Sequence, residues 1–440
     1  MGLIESRNRI RSHPFLWDTI TTTLLSTIGN GAGFLIPLFI AMWFGVTSDT
    51  DAFFFSYGLI LFFSLTVAPV VESVIVPYIA EARKIESDVA AFVGKALCIT
   101  GVGLAVISGA FLLAVKPLLY TVTEFEVDTL NLVYQLLIEF SPLTILLVWT
   151  SILSGTLNAY RKFAFPAITP AFRAVINLGI MYVFKDLIGI HAIAMGYLLG
   201  EIARLAILSV VTKRLNLFRL DLSFRFDPKL REFFRTALYQ MIGMVAIGLN
   251  PVVDRTMASW LEEGSLSILH YADRLYMIPV TFMATGLMVT LLTHWSDRYY
   301  ETGLGGLREN VKKAVRWVGF VSFAIVILLF FLRQPITKLA FGRGAFPLQK
   351  LPEVSWVWVC YLFGFVPYMM GRICVRAHLA AKNTKIIMRY GIYSFFLNIF
   401  LNSILMIHFK VAGIALSTSF ISLFYVLYFF IGFRELERIK

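Results

Sequence analysis

Arg274 opens a long apolar run, YADRLYMIPVTFMATGLMVTLLT, and Arg376 closes another, YMMGRICVRAHLAA. A charge inside a membrane segment costs about 2.5–3.5 kcal/mol on insertion scales, and it survives where it faces a cavity or a partner. Two cations facing one cavity would form a receptor for an anionic headgroup. That is the chemistry of a transporter of phosphate-bearing lipids. Arg372 precedes Arg376 by one helical turn, so the two share a face. Three acids accompany them: Asp51 at the start of an apolar run, Glu72 deep within it, and Asp273 beside Arg274. Asp273 is a poor partner for Arg274, because adjacent residues on a helix do not face each other.

These residues need membrane helices to hold them. The chain has 440 residues, of which 58% are hydrophobic and only 15% charged, with a mean hydropathy of +0.77. A soluble domain carries roughly 25% charged residues. Apolar stretches of about 20 residues recur from end to end, enough to cross about 30 Å of hydrocarbon as helices. The expected fold is all-α and membrane-integral. About twelve helices fall near 16–44, 52–80, 91–117, 131–158, 167–186, 190–212, 236–260, 268–293, 313–332, 353–378, 385–408 and 411–433. The first run is too long for a cleavable signal and follows Arg7, Arg9 and Arg11.

Basic residues return in alternate loops, at Arg83/Lys84, Arg161/Lys162, Lys213 through Arg235, Arg298 through Arg316, Lys382/Lys385/Arg389 and Arg434/Arg438/Lys440. The loops between are acidic or poor in charge, as in TVTEFEVD and WLEEGS. The positive-inside rule then puts both termini in the cytoplasm. The net charge of +12 is topological, so nucleic acid is not an expected partner. Cys98, Cys360 and Cys374 lie in apolar runs without paired spacing, which argues against a disulfide framework or a metal site. No Walker A motif is present, and no residue pair suggests hydrolysis or group transfer, so an enzyme is not expected.

The polar stretch KRLNLFRLDLSFRFDPKLREFFR divides the chain. The expected organisation is a six-helix lobe over 1–212, an amphipathic cytoplasmic linker over 213–235, and a second six-helix lobe over 236–440, around a central cavity. The halves resemble each other weakly: TDAFF opens the second helix and YADRL the eighth, and Asn177 and Asn398 fall at similar depths. Pro142, Pro279 and Pro367 mark expected kinks.

NPVVDRTMASWLEEGSLSILHYADRLYMIP (250–279) closely resembles the seventh and eighth helices of the MurJ/MviN family. FGVTSDTDAFF, SGTLNAYRKFAFPAITP, FGRGAF and RAHLAAKNTK fit the same family in the same order. The resemblance covers nearly the whole chain. It implies a flippase of the MOP exporter superfamily that moves polyprenyl-diphosphate-linked sugars to the outer leaflet by alternating access, in the bacterial cytoplasmic membrane. It makes Arg274, Arg376, Arg372, Asp51, Glu72 and Asp273 the candidate headgroup and gating residues. Some relatives of this kind bind sodium between the seventh, eleventh and twelfth helices. Asp254, Asn398, Asn402 and Thr418 fall at the matching positions, with Asn402 where some carry an acid. A sodium ion is the one cofactor this implies; a polar cluster that packs helices is the competing reading.

Two departures shape the expected substrate. The family's usual last two helices have no counterpart after RELERIK. Asn30 and Ile36 stand where the first helix usually carries arginines. Fewer cations favour a peptide-free saccharide of an exopolysaccharide or related envelope glycan over lipid II, with membrane lipids and glycan polymerases or glycosyltransferases as partners. Lipid II transport is the nearest alternative. A multidrug cation antiporter would favour an acidic cavity, and a non-transporting scaffold for glycan assembly would not need buried arginines.

Overall fold

A computed structural model describes residues 14–84, 88–219, 228–380 and 385–438. The N-terminal arginines, the middle of the basic linker and Lys382 lie outside them. Helices α1 (Pro14–Phe44), α2 (Ser48–Lys84), α3 (Val89–Val122), α4 (Val127–Ala159), α5 (Ala164–Ile188) and α6 (His191–Arg214) fill the first half. Then follow α7 (Pro228–Gly248), α8 (Asn250–Ala258), α9 (Ser265–Phe331), α10 (Arg333–Phe341), α11 (Leu351–Phe363), α12 (Phe365–Ala380) and α13 (Lys385–Arg438). The chain is an all-helical, multi-pass membrane protein. Eight stretches among the described residues are long and apolar enough to cross a bilayer.

The remaining crossings hide inside long elements. α9 runs for 67 residues, about 100 Å if straight. Yet Ser322 Oγ lies 3.7 Å from Met283 Sδ; 39 positions of straight helix would separate them by about 58 Å. The element therefore doubles back and crosses twice. α13 is likewise two helices, broken at Lys410, whose backbone takes φ 49° and ψ −130°. α7 and α8 form one interrupted crossing, with Pro251 at the start of α8. α11 and α12 form another. Their break falls at Gly364, because Pro367 cannot donate to the carbonyl of Phe363 and Ser419 crowds in from α13: a Cβ on Gly364 would stand 2.7 Å from its Cα. The kink expected at Pro367 is thus a break, whereas Pro142 and Pro279 sit inside continuous helices. The count of about twelve crossings stands.

The chain forms two compact units. The first comprises Met1–Phe39, Ser56–Thr121 and Leu130–Ile242; the second comprises Ile40–Phe55, Val122–Thr129 and Gly243–Lys440. In the first, Val74, Ile75, Val93, Leu97, Ile152 and Phe233 make a shared core of α2, α3, α4 and α7. Gly196 and Gly200 on α6, four apart, let α5 come close, since a Cβ at either would stand under 3 Å from Asn177 or Arg173. In the membrane such small-residue pairs replace the hydrophobic driving force. Val106, Ile107 and Leu113 on α3 point outward, as a hydrocarbon solvent permits.

The second unit is tied by backbone. Ala345 N–H donates to the Met42 carbonyl at 2.7 Å, and the Tyr271 hydroxyl donates to the Gly45 carbonyl at 2.8 Å. FGRGAF thus fastens the end of α1 to the second unit. Gly344 must remain glycine there, at φ +69° with Met42 O 2.1 Å from a Cβ position.

Candidate functional site

The second unit holds a cavity of about 230 Å³, lined by Asn250, Asp254, Arg255, His270, Asp273, Tyr361, Asn398 and Thr418 among others. Four of the residues expected from sequence meet here: Asp254, Asp273, Asn398 and Thr418. Its own arginine is Arg255, which lies within NPVVDRTMASW but is not among the residues expected from the sequence. Arg255 Nη1 reaches the Pro251 carbonyl at 3.4 Å.

Arg274 joins this site through His270. Its Nε–H donates to His270 Nε2 at 3.2 Å, which requires the His270 tautomer protonated on Nδ1. The imidazole is stacked on Phe54, with centroids 4.0 Å apart and planes at 22°. The stack and the hydrogen bond fix the Arg274 guanidinium and leave its Nη groups to meet an anion. Arg255, Arg274 and Asp273 also act on one another electrostatically. Two cations balanced by a nearby carboxylate can be held at membrane depth.

Asp254 Oδ1 accepts from Asn398 Nδ2 at 2.9 Å and from Asn402 Nδ2 at 2.8 Å. Their own Oδ1 atoms, and that of Asn250, are buried without hydrogen-bond partners. Thr418 Oγ1 faces its own helix, at 3.3 Å from the Ile414 carbonyl.

The other expected residues lie elsewhere. Arg372 Nη1 reaches the Tyr368 hydroxyl at 3.4 Å. Tyr368 is in ring contact with Tyr276, which stacks on Tyr361 of the cavity wall. Arg376 is half-buried one turn beyond. Asp51, 3% exposed, takes the N–H groups of Gly264 at 2.7 Å and Ser267 at 2.8 Å, and the Ser267 hydroxyl at 2.5 Å. It thereby satisfies the free amides that open α9 and complements the helix dipole.

Glu72 belongs to the first unit and accepts from Asn158 Nδ2 at 3.1 Å. Close by lies a cluster the sequence reading missed. Glu201, fully buried, takes Thr150 Oγ1 at 2.7 Å, Arg204 Nη1 at 3.1 Å and Arg173 Nη1 at 3.1 Å. The rule that singled out Arg274 applies equally to Arg173, Glu201 and Arg204.

The described residues thus form an all-helical, multi-pass chain of two helical units with buried ion clusters. A solved multidrug MATE transporter of the MOP superfamily, inward-facing, overlays 95% of this chain and 97% of its own at a TM-score of 0.81 with 11% identity. A solved lipid II flippase MurJ, inward closed, overlays 95% and 87% at 0.79 with 23% identity. Both likenesses concern the fold. The family model for the lipid II flippase MurJ matches residues 40–437, and the chain belongs to the MurJ family. Probable lipid II flippases MurJ from Buchnera aphidicola subsp. Acyrthosiphon pisum and Thermotoga maritima are similar to it. The first is 25% identical over 417 residues, covering 92% of this chain and 80% of the relative. The second is 26% identical over 415, covering 91% and 83%. Membership makes the chain a transporter and not an enzyme.

Proposed function

We propose that the chain flips lipid II, a polyprenyl-diphosphate-linked saccharide-peptide, from the inner to the outer leaflet of the cytoplasmic membrane. What carries this reading is the family match along nearly the whole chain, with relatives named for that substrate that it matches over 80% and 83% of their length. It displaces the peptide-free saccharide as first choice. That preference rested on arginines missing at Asn30 and Ile36, but Ile36 is only 2% exposed, and cations gather instead at Arg255 and Arg274. Arg274, with Arg255, Arg372 and Arg376, takes the diphosphate; Asp51, Glu72 and Asp273 serve gating and charge balance. The two lobes correspond to the two compact units, which part at Ile242 rather than at the basic stretch before α7, and both termini are cytoplasmic by the placement of basic loops. Glycan polymerases or glycosyltransferases are its partners. Complementation in cells depleted of their own lipid II flippase tests the reading. We expect growth and normal peptidoglycan synthesis. Lysis despite verified insertion, with a peptide-free polymer exported instead, would return the substrate to the exopolysaccharide class.

The same proposal puts a sodium ion at Asp254. Turning the side-chain amides of Asn398 and Asn402 would aim oxygens, rather than NH₂ groups, at the carboxylate; which way an amide points is an assignment of the hydrogen-bond network. The orphaned Oδ1 atoms of Asn398 and Asn402 support that turn, and a set of hard oxygens with one carboxylate suits a hard cation. Sodium should then raise the melting temperature by mass action, by about 2.7 kcal/mol of stability at a hundredfold excess over Kd. Potassium at equal ionic strength should not, and Asp254→Asn should erase the difference. Identical melting curves in both salts would leave the cluster as helix packing.

A further inference from the structure

A second cavity of the second unit, about 860 Å³, is an apolar groove with cations at one end. Lys312 and Arg316 on the second limb of α9 line it, with Phe363 of α11, Met370 of α12, and Leu416 and Leu427 of α13. Phe363 and Leu427 are exposed, so the groove opens to the bilayer.

Its depth can be read along the helices. Lys312 and Arg316 fall in the first two turns of the apolar span Asn310–Phe331, and Leu427 near the end of the span Ile386–Gly432. Gly319 lies against Met370 and Gly371 against Tyr425, so these three helices pack side by side in register there. From Leu427 the wall descends to Leu416, about 17 Å of helix rise. That is close to half of the 30 Å hydrocarbon thickness, one leaflet. Lys312 and Arg316 are one turn apart on a common face. Among the described residues no carboxylate pairs with either.

We propose that this groove holds an anionic diacyl phospholipid of the phosphatidylglycerol type. One acyl chain lies along Leu416–Leu427, and the phosphate sits on Lys312 and Arg316. The groove is one leaflet deep, which matches an acyl chain, and the cations among its described lining residues stand where a headgroup phosphate would be; basic pockets between membrane helices recognise lipid phosphates in this way. The site is separate from the Arg255–Arg274 cavity and independent of the transported substrate.

The test uses the purified full chain in neutral detergent, with retained lipid counted by native mass spectrometry and stability followed by melting. Phosphatidylglycerol should be retained about thirtyfold more tightly than phosphatidylcholine of the same chains, from two basic contacts at the interface. It should also raise the melting temperature more. Lys312→Gln with Arg316→Gln should abolish the preference without lowering the lipid-free melting temperature. Leu423→Trp, which narrows the groove, should weaken retention of both lipids. Equal retention of the two lipids by the wild type would overturn the proposal, as would a preference that survives the double substitution. Tighter retention of undecaprenyl phosphate than of phosphatidylglycerol would also overturn it, by giving the groove to a polyprenyl chain.

Discussion

Glu201→Gln should cost about 3–5 kcal/mol of stability, because it leaves two buried arginines facing each other without their anion. Glu201 has no exposed surface, and the Arg173 and Arg204 side chains are only 25% and 14% exposed. Both arginine Nε atoms are already buried without partners, so the cluster has no slack. Glutamine keeps the shape and one acceptor oxygen but not the charge. A second variant separates loss of the ion pair from loss of shape. Arg204 also feels Glu72 electrostatically, so Glu201→Leu together with Arg173→Met leaves one cation opposite one anion. The double variant should melt higher than Glu201→Leu alone, by at least about 1 kcal/mol of coupling. Melting in detergent reads both. A glutamine variant as stable as the wild type would show that the arginines find water or lipid phosphate instead.

The sequence shows which residues are expensive in a membrane but not who relieves them. Arg274 stood out as a charge in an apolar run; nothing local pointed to His270 stacked on Phe54. Asp254 meets Asn398 and Asn402 across 144 and 148 positions, and Asp51 meets Gly264 across 213. Such pairs follow from packing, and the first of them was reached only through a family likeness. Arg173, Glu201 and Arg204 were legible by the same cost rule, but nothing in the sequence joins Arg173 to Glu201, 28 positions on. The number of crossings was readable, because 20-residue apolar runs repeat. Their joins were not. The α9 turn needed the contact between Met283 and Ser322, and the α11–α12 break needed Gly364 and Pro367 together with Ser419. The transported sugar was hardest of all. Counting arginines along the first helix missed Arg255, which lies in a different part of the chain and faces the cavity with Asp273.

Arg274→Ala should cut transport by about 10- to 150-fold while leaving the fold intact. The side chain is only half-buried, and its described hydrogen bond is the one to His270, so truncation opens no large cavity. What is lost is a fixed guanidinium. A charge-assisted hydrogen bond contributes about 1.5–3 kcal/mol, and hence roughly 10- to 150-fold in flux if it holds the diphosphate through the rate-limiting step. Arg274→Lys should recover only part. A lysine can meet either His270 or a phosphate oxygen, whereas arginine donates to His270 through Nε and keeps its Nη fork for the ligand. His270→Ala provides the positioning control: the cation remains but loses its fixed direction, so transport should fall less than in Arg274→Ala, with a larger loss of apparent substrate affinity than of maximal rate. Transport is measured in proteoliposomes or depleted cells at matched insertion, with melting temperature recorded beside it. Normal transport by the alanine variant at normal abundance would remove Arg274 from the headgroup site. The diphosphate would then fall to Arg255, whose substitution by methionine is the next measurement.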